Sequence, residues 1–563
     1  MKKIILLIMV SIIFCCKNIG QNSSEKGIQK KSISMKLKEN NHLSIKKQIE
    51  LYKKLKKEKL NEYNFENEDE LTMYAYSYLW GNQPKNALAI FLLIAEQFPN
   101  SANAYDSLGE VYLALGNKEL SLFNYTKALR MNPDNFNAED QIELIRNPNK
   151  KTLTPSEKFN KIYTVEGYKN DLDELGKKLI EVNPSTLKFI SKKNFWQLIE
   201  NKKALISKNT TFGDFIWHCN EIIASINCSH TSLDSFRQES SMLNTAQIFP
   251  LQTRWVNNKL YVIDALTNSD KVKIKDEITH INNISVSTII DNIYKHIQSQ
   301  GYTKSPKRAF FNKWSTEMIP YELGFPTSYK IKIKGNRFPI ALNKAKKTIA
   351  PYEDTSIQKH KNNLHLDFID STKTAVLTIS SFNYYVWNNL NEFQNFINNS
   401  FKKINDKKTK NLVLDLRFNG GGSAESSIYL LKHLVDKPFT YFSKSTHNNI
   451  KGFNGKMYFI IDGNGESTTG HFMSKVKELN LGKIIGEELG SNHFCTAGQT
   501  VLRLKNTKLV YYVANTASSL HSKFPFDYLG VQPDIFITQP IDDYLNNYDT
   551  VRIQTLNLIK NEK

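Results

Sequence analysis

From about residue 365 the chain alternates short apolar runs with amphipathic stretches. "TAVLTISSF", "NLVLDLRF", "KMYFIID" and "GKIIGEE" read as strands, and "NEFQNFINNSFKKI", "AESSIYLLKHLV" and "TTGHFMSKVKEL" follow several of them with helical spacing. Near-continuously apolar strands separated by helices predict a mainly parallel sheet covered on both faces. Residues 159–240 read as helical through "LDELGKKLIEVNP", "NFWQLIENKKALI" and "FGDFIWHCNEIIASI", broken at "NCSHTSL". Residues 245–345 read as short strands around one helix, "SVSTIIDNIYKHI". Further back, Leu108, Gly109, Tyr112, Ala128 and Pro133 stand 34 residues after Tyr74, Ala75, Tyr78, Ile94 and Pro99. A period of this length predicts stacked helix pairs, in which small residues allow close approach and aromatics fill the gap. A helix near 137–146 is expected to cap them, and "NPNKKTLTPSEK" (147–158) reads as a linker.

With 563 residues, 40% of them hydrophobic, the chain has room for several domains with sizeable cores. The net charge of +20 comes mostly from scattered Lys. It is not gathered into a stripe with interleaved aromatics, which argues against a nucleic-acid partner. A weak preference for anionic surfaces is compatible with it. At the start, Lys2 and Lys3 precede an apolar run from Ile4 to Phe14, followed by Cys15-Cys16. That run is too short to span a hydrocarbon layer of about 30 Å and reads as an export signal. Residues 17–60 are polar and Lys-rich and read as a tether, with some helix near "LSIKKQIELYKKLKKEKL". Cys219, Cys228 and Cys495 form no CxxC pair, so no metal site is expected, and buried free thiols are the favoured reading.

Two glycine-rich stretches, "NGGG" (419–422) and "GNGEST" (463–468), fall at the carboxyl ends of strands, where sites form in open parallel sheets. Ser467 lies where a strand turns into a helix, so its hydroxyl meets unpaired N–H groups and the positive end of the helix dipole. The same position suits an ordinary helix cap. The "NGGG" loop lacks the phosphate-loop pattern, but its N–H groups could help build an oxyanion hole. Asp415 and Arg417 read as a structural ion pair. His230 sits in the break of "INCSHTSL" with Ser229 beside it, and Asp527 in "FDYLGVQPDIFI" is a loop carboxylate.

Together these pieces resemble the tricorn-core and C-terminal-processing serine peptidases, a family that includes retinoid-binding relatives. The likeness is one of order: a helical region ending in His-Thr, an insert, "LDLRFNGGG", strand-Ser-helix, "GEELG", and "GVQPD", over roughly 160–545. The 34-residue repeat resembles the tetratricopeptide repeat, "KDEITHINNISVSTIIDNI" resembles the end of a PDZ domain, and the N-terminus looks like a bacterial lipoprotein signal. The resemblances imply a multidomain α plus α/β architecture: signal 1–16, tether 17–60, helical repeats 61–147, helical segment 159–240, PDZ-like β insert 245–345, crotonase-like α/β peptidase core 365–545 and tail 546–563.

They further imply a serine peptidase without cofactor, acting on proteins or peptides. The family's Lys position falls on Asn492, and Lys475, Lys477 and Lys483 lie elsewhere, so a Ser–His–acid arrangement is expected: Ser467 as nucleophile, His230 as base, Asp527 as the acid where Glu is usual. Ser229 would orient substrate or ring, and Thr468 with Gly420 or Gly421 would hold the oxyanion. His471 and His493 are rival bases. The lipoprotein likeness implies lipidation at Cys16, export to the cell envelope, and membrane attachment on a periplasmic or outer-membrane face; plain cleavage is the alternative. The repeat implies either a peptide-binding groove or a scaffold. A non-catalytic binder of a peptide or apolar ligand stays open.

Overall fold

The 34-residue spacing is realised in the computed structural model as successive helices Glu68–Trp80, Pro84–Gln97, Ala102–Ala114, Lys118–Met131 and Phe136–Arg146. The structure describes residues 30–150, 153–233, 242–347, 349–350, 352, 363–446, 449–520 and 528–562. They fall into two units, Met1–Thr152 with Tyr385–Leu390, and the remainder of the chain.

In the first unit the helix starts are set locally. Asn67, Ser101, Asn117 and Asn135 each accept a hydrogen bond from the amide three residues on, which satisfies a donor the helix cannot. Leu71, Ala75, Ile90, Phe91, Ile94 and Val111 are buried between the helices. Gly109 explains the small residue of the repeat: a Cβ there would lie 2.7 Å from the Tyr125 ring. Much of the expected tether is folded. Lys31–Ser32 pairs in parallel with Tyr63–Asn64, and helices Ile33–Glu39 and Ile45–Glu58 bury Ile33, Leu37, Tyr52 and Leu55 in the same core. The Lys-rich surface of these helices hid a narrow apolar stripe.

In the second unit, helices Val165–Val182, Lys192–Leu205 and Phe212–Ser225 precede an antiparallel sheet of Gln252–Val256, Lys259–Asp264, Glu277–Ile281, Lys330–Ile333 and Ile340–Ala341. The two segments share one hydrophobic core: Phe215 and Ile222 pack in the same cluster as Val262 and Ile331, and Tyr511 and Val513 join from late in the chain.

The central sheet runs in the order Leu364–Ile369, Thr374–Ile379, Asn411–Asp415, Lys456–Ile461, Lys483–Gly486, Ile535–Phe536. The first pair is antiparallel and the others parallel, as the apolar runs predict. Alternate residues feed two cores. Leu377, Leu414 and Phe459 pack with Phe393, Leu430 and Phe472 on one face. Val376, Val413, Tyr458 and Ile460 pack with Val551 and Ile559 on the other. The expected tail is therefore corrected: Thr550–Asn561 is a helix that covers the second face. Cys219, Cys228 and Cys495 are buried and free.

Candidate active site

Ser467 follows the strand Lys456–Ile461 and occupies the N-cap position of the helix Thr468–Glu478. Its backbone is left-handed, with φ 54° and ψ −122°. A non-glycine residue so placed stores local strain, and such strain concentrates at functional turns. Ser467 also makes no capping hydrogen bond, whereas Ser101, Thr164, Ser191 and Ser423 all do. Capping therefore does not account for this serine.

The "NGGG" loop is laced against it. Thr468 Oγ1 donates to Gly422 O at 2.6 Å and Thr469 Oγ1 to Asn419 O at 2.8 Å. Phe382 N donates to Gly421 O at 2.9 Å and Ser423 N to Phe382 O at 2.8 Å, which fixes the loop's far side. A Cβ on Gly421 would stand 2.7 Å from Ser467 Cβ and 3.0 Å from Thr468 N, and Gly421 has φ +98°, so only glycine fits. The N–H of Gly421 is committed to Asn419 Oδ1 at 3.0 Å. Among the described residues, the N–H groups of Gly420 and Thr468 carry no hydrogen bond. Asn419, whose side chain also donates to Ile379 O at 2.9 Å, organises the loop. The sequence offered a sign of this, since Asn before glycines favours a side-chain-to-backbone turn.

His230 arrives from the break after helix Phe212–Ser225. Gln499 Nε2 donates to His230 O at 2.8 Å, Cys228 Sγ lies 3.0 Å from Thr496 Oγ1, and Thr231 Oγ1 accepts from Ala514 N at 3.0 Å. These contacts stitch the segment to the strand Phe494–Ala497 and its surroundings. That strand carries Cys495, on whose thiol the Ser467 side chain acts. Ser467, His230, His471 and His493 thus share one neighbourhood, and the charges of His493 and His230 act on His471. Ser229 Oγ is 3.1 Å from His230 Nδ1. No hydrogen bond joins Ser467 to His230 among the described residues. Asp527 and Cys16 lie outside the described residues. The flanks of residues 521–527 are anchored close by: Leu520 N donates to His493 O at 2.9 Å and Tyr302 N to Tyr528 O at 2.9 Å.

Asn492 cannot act as the family's lysine. Its amide donates to Leu529 O at 2.5 Å and accepts from Phe494 N at 2.9 Å, a structural clamp. Lys475 pairs with Glu478 at 2.9 Å and Lys483 with Glu562 at 2.6 Å. No group of three His, Cys, Asp or Glu able to hold a metal occurs among the described residues.

Burial pushes His230 and His218 down to about 4; it does the same to His471, helped by the charges of His493 and His230. His230 is therefore neutral at pH 7 and able to take a proton. Burial pushes the Cys495 thiol up to about 12 and the Glu466 carboxyl up to about 7. The histidines also make stability depend on pH. Below their ordinary value of 6.5 the unfolded chain binds protons that the folded chain resists. Their contribution is complete above pH 6.5 and falls towards pH 4, by roughly 1.4 kcal/mol per pH unit for each ring. Glu466 and Glu317, pushed up by burial to about 7, and Asp462 and Asp106, to about 6, act in the opposite sense over the same range. The histidine contribution is therefore read as a difference: His218→Gln is expected to lose less Tm than the wild type between about pH 7 and 4.5, and equal losses would contradict it.

Residues 373–537 match the model of peptidase family S41. The matched region is a peptidase family S41 domain, which indicates a serine peptidase, and Ser467 lies inside it. No curated protein matches the chain. Among solved structures, mature CPAF is 13% identical over 70% of this chain and 98% of its own, with a TM-score of 0.47. The photosystem II D1 C-terminal processing protease is 11% identical over 68% of this chain and 96% of its own, with a TM-score of 0.34. The tricorn protease is 15% identical over 70% of this chain and 37% of its own, with a TM-score of 0.32. The family assignment rests on the sequence match.

The chain carries a cavity at the carboxyl ends of the sheet strands. It has a volume of about 410 Å³ and is lined by Arg254, Arg308, Phe418, Asp462, Glu487 and Gln539 among others. Neither Ser467 nor His230 lines it.

Proposed function

We propose that this peptidase is an endopeptidase working through an acyl-enzyme, with Ser467 as nucleophile and His230 as general base. The observation that carries the reading is the strained, uncapped Ser467 at a helix N-terminus. Ser467 Oγ attacks the peptide carbonyl carbon while His230 takes the hydroxyl proton. The free N–H groups of Thr468 and Gly420 receive the oxyanion, where loss of one such donor typically costs about 2.7–4 kcal/mol. His230 then passes the proton to the leaving amine, and water attacks the acyl-enzyme. Asp527 is assigned the holding of the imidazole, on the family resemblance. Export through the N-terminal signal, lipidation at Cys16, and recruitment of substrate by the helical repeats and the PDZ-like insert belong to the same proposal.

One observation favours a second reading, a non-catalytic binder on this fold: no hydrogen bond joins Ser467 to His230 among the described residues. Hydrolysis of a quenched fluorescent peptide library separates the two. His230→Ala is expected to lower kcat/KM by about 10²–10⁴-fold, and His471→Gln and His493→Ala by less than about 10-fold. An unaffected His230→Ala enzyme would remove His230 as base. A wild-type protein that neither hydrolyses peptides nor reacts with a fluorophosphonate from about pH 5 to 9 would establish the binder.

A further inference from the structure

We propose that the hairpin Lys330–Ala341, distant from the proposed chemistry in sequence, docks on an anionic lipid surface. Between Glu322 and Glu353 the chain has no acidic residue, and it holds Lys330, Lys332, Lys334, Arg337, Lys344, Lys346 and Lys347. The fold turns this composition into a surface. In the strand Lys330–Ile333, Ile331 and Ile333 enter the core while Lys330 and Lys332 face solvent. Alternation at the strand period puts both ammonium groups on one face.

The turn Lys334–Pro339 is exposed throughout, and Phe338 at its end is 69% exposed. The Arg337 guanidinium sits 5.3 Å from the centre of that ring. Lys330, Lys332, Arg337, Lys344, Lys346 and Lys347 form no ion pair among the described residues. Among the described residues, the one acid that pairs with the hairpin is Glu277, 3.3 Å from Lys334 and shared with Lys259. Lys271 adds a further cation at the base, donating to Ala341 O at 2.8 Å.

A single exposed ring is ordinary on a protein surface, and what sets Phe338 apart is its place among unpaired cations. Cations around a protruding aromatic match the interface of a bilayer, where the ring reaches the acyl boundary and the ammonium groups meet phosphate. A nucleic acid would be met by a groove with several stacking rings, and here there is one ring on a convex tip. The peptidase would then be oriented on the membrane by its insert, independently of any N-terminal lipid.

The test is flotation of the full-length chain with Cys15→Ser and Cys16→Ser on vesicles of phosphatidylglycerol and phosphatidylcholine, against phosphatidylcholine alone. Binding is expected to the anionic vesicles only, and to weaken between about 50 and 500 mM salt as screening shortens. Each lysine or arginine near a charged leaflet contributes roughly a fivefold factor. The triple variant Lys332→Gln, Lys334→Gln, Arg337→Gln should therefore lose about 100-fold in partition. Phe338→Ser should weaken vesicle binding several-fold while leaving retention on heparin unchanged. Peptide hydrolysis by each variant reports folding, since none of these residues belongs to the proposed catalytic set. Equal binding to both vesicle types, or an unaffected triple variant, overturns the proposal. If Phe338→Ser leaves vesicle binding intact, the surface is a general polyanion site, and the lipid assignment falls.

Discussion

Ser467→Ala is expected to lower kcat by at least about 10⁴-fold while leaving the fold intact. The size follows from the chemistry: without the hydroxyl no acyl-enzyme forms, and only binding and the oxyanion donors remain. The fold should survive because Ser467 contributes no cap to its helix and its Cβ stays in place. The neighbouring Cys495 thiol keeps its own bond to Thr496 O at 2.9 Å. Fluorophosphonate labelling, seen in the wild type and lost in the variant with unchanged circular dichroism, is the check. Labelling that persists would place the nucleophile elsewhere. Ser467→Cys is a useful companion, since it keeps a nucleophile at the same strained turn.

Asp549→Ala is expected to destabilise the second unit by about 3–5 kcal/mol. Arg417 is buried between two carboxylates. Its Nε and Nη2 reach Asp415 at 2.9 and 2.5 Å, and its Nη1 and Nη2 reach Asp549 at 2.8 Å each. Asp549 also caps the C-terminal helix by accepting from Arg552 N at 3.1 Å. Burial pushes the Asp549 carboxyl up, but the Arg417 guanidinium outweighs it and holds the group below the usual carboxylate range. The stabilisation is thus present above the ordinary aspartate value and lost only in strong acid. Removal leaves a partly compensated buried guanidinium and frees the helix covering one face of the sheet. Tm should fall by about 4–6 °C for a unit of this size. A loss below about 1 kcal/mol would mean that the ion network is no stronger than a surface pair.

The strands and helices of the core were legible because burial on both faces forces apolar runs such as "KMYFII" and leaves a period that survives without coordinates. Ser467 was legible as a place, a glycine-flanked turn from strand to helix, and its role as nucleophile came only from the family resemblance. A cap and a nucleophile need the same residue there, and only the backbone angles and the unused hydroxyl separate them. The segment 33–58 was misread because lysines outnumber the few apolar residues that enter its core. The terminal helix was missed because its partners, Val376, Val413 and Tyr458, come from strands far away in sequence.

Sequence alone determined the order of the motifs, the parallel sheet and the serine at the carboxyl end of one of its strands, since each depends on local composition and spacing. Tertiary structure decided what pairs with what. It set Gly421 against Ser467, spent the Gly421 N–H on Asn419, used Asn492 as a clamp, brought His230 to the serine's neighbourhood, and closed Asp549 onto Arg417. Apart from the local Asn419–Gly421 turn, those are contacts between residues far apart along the chain, and no local period encodes them.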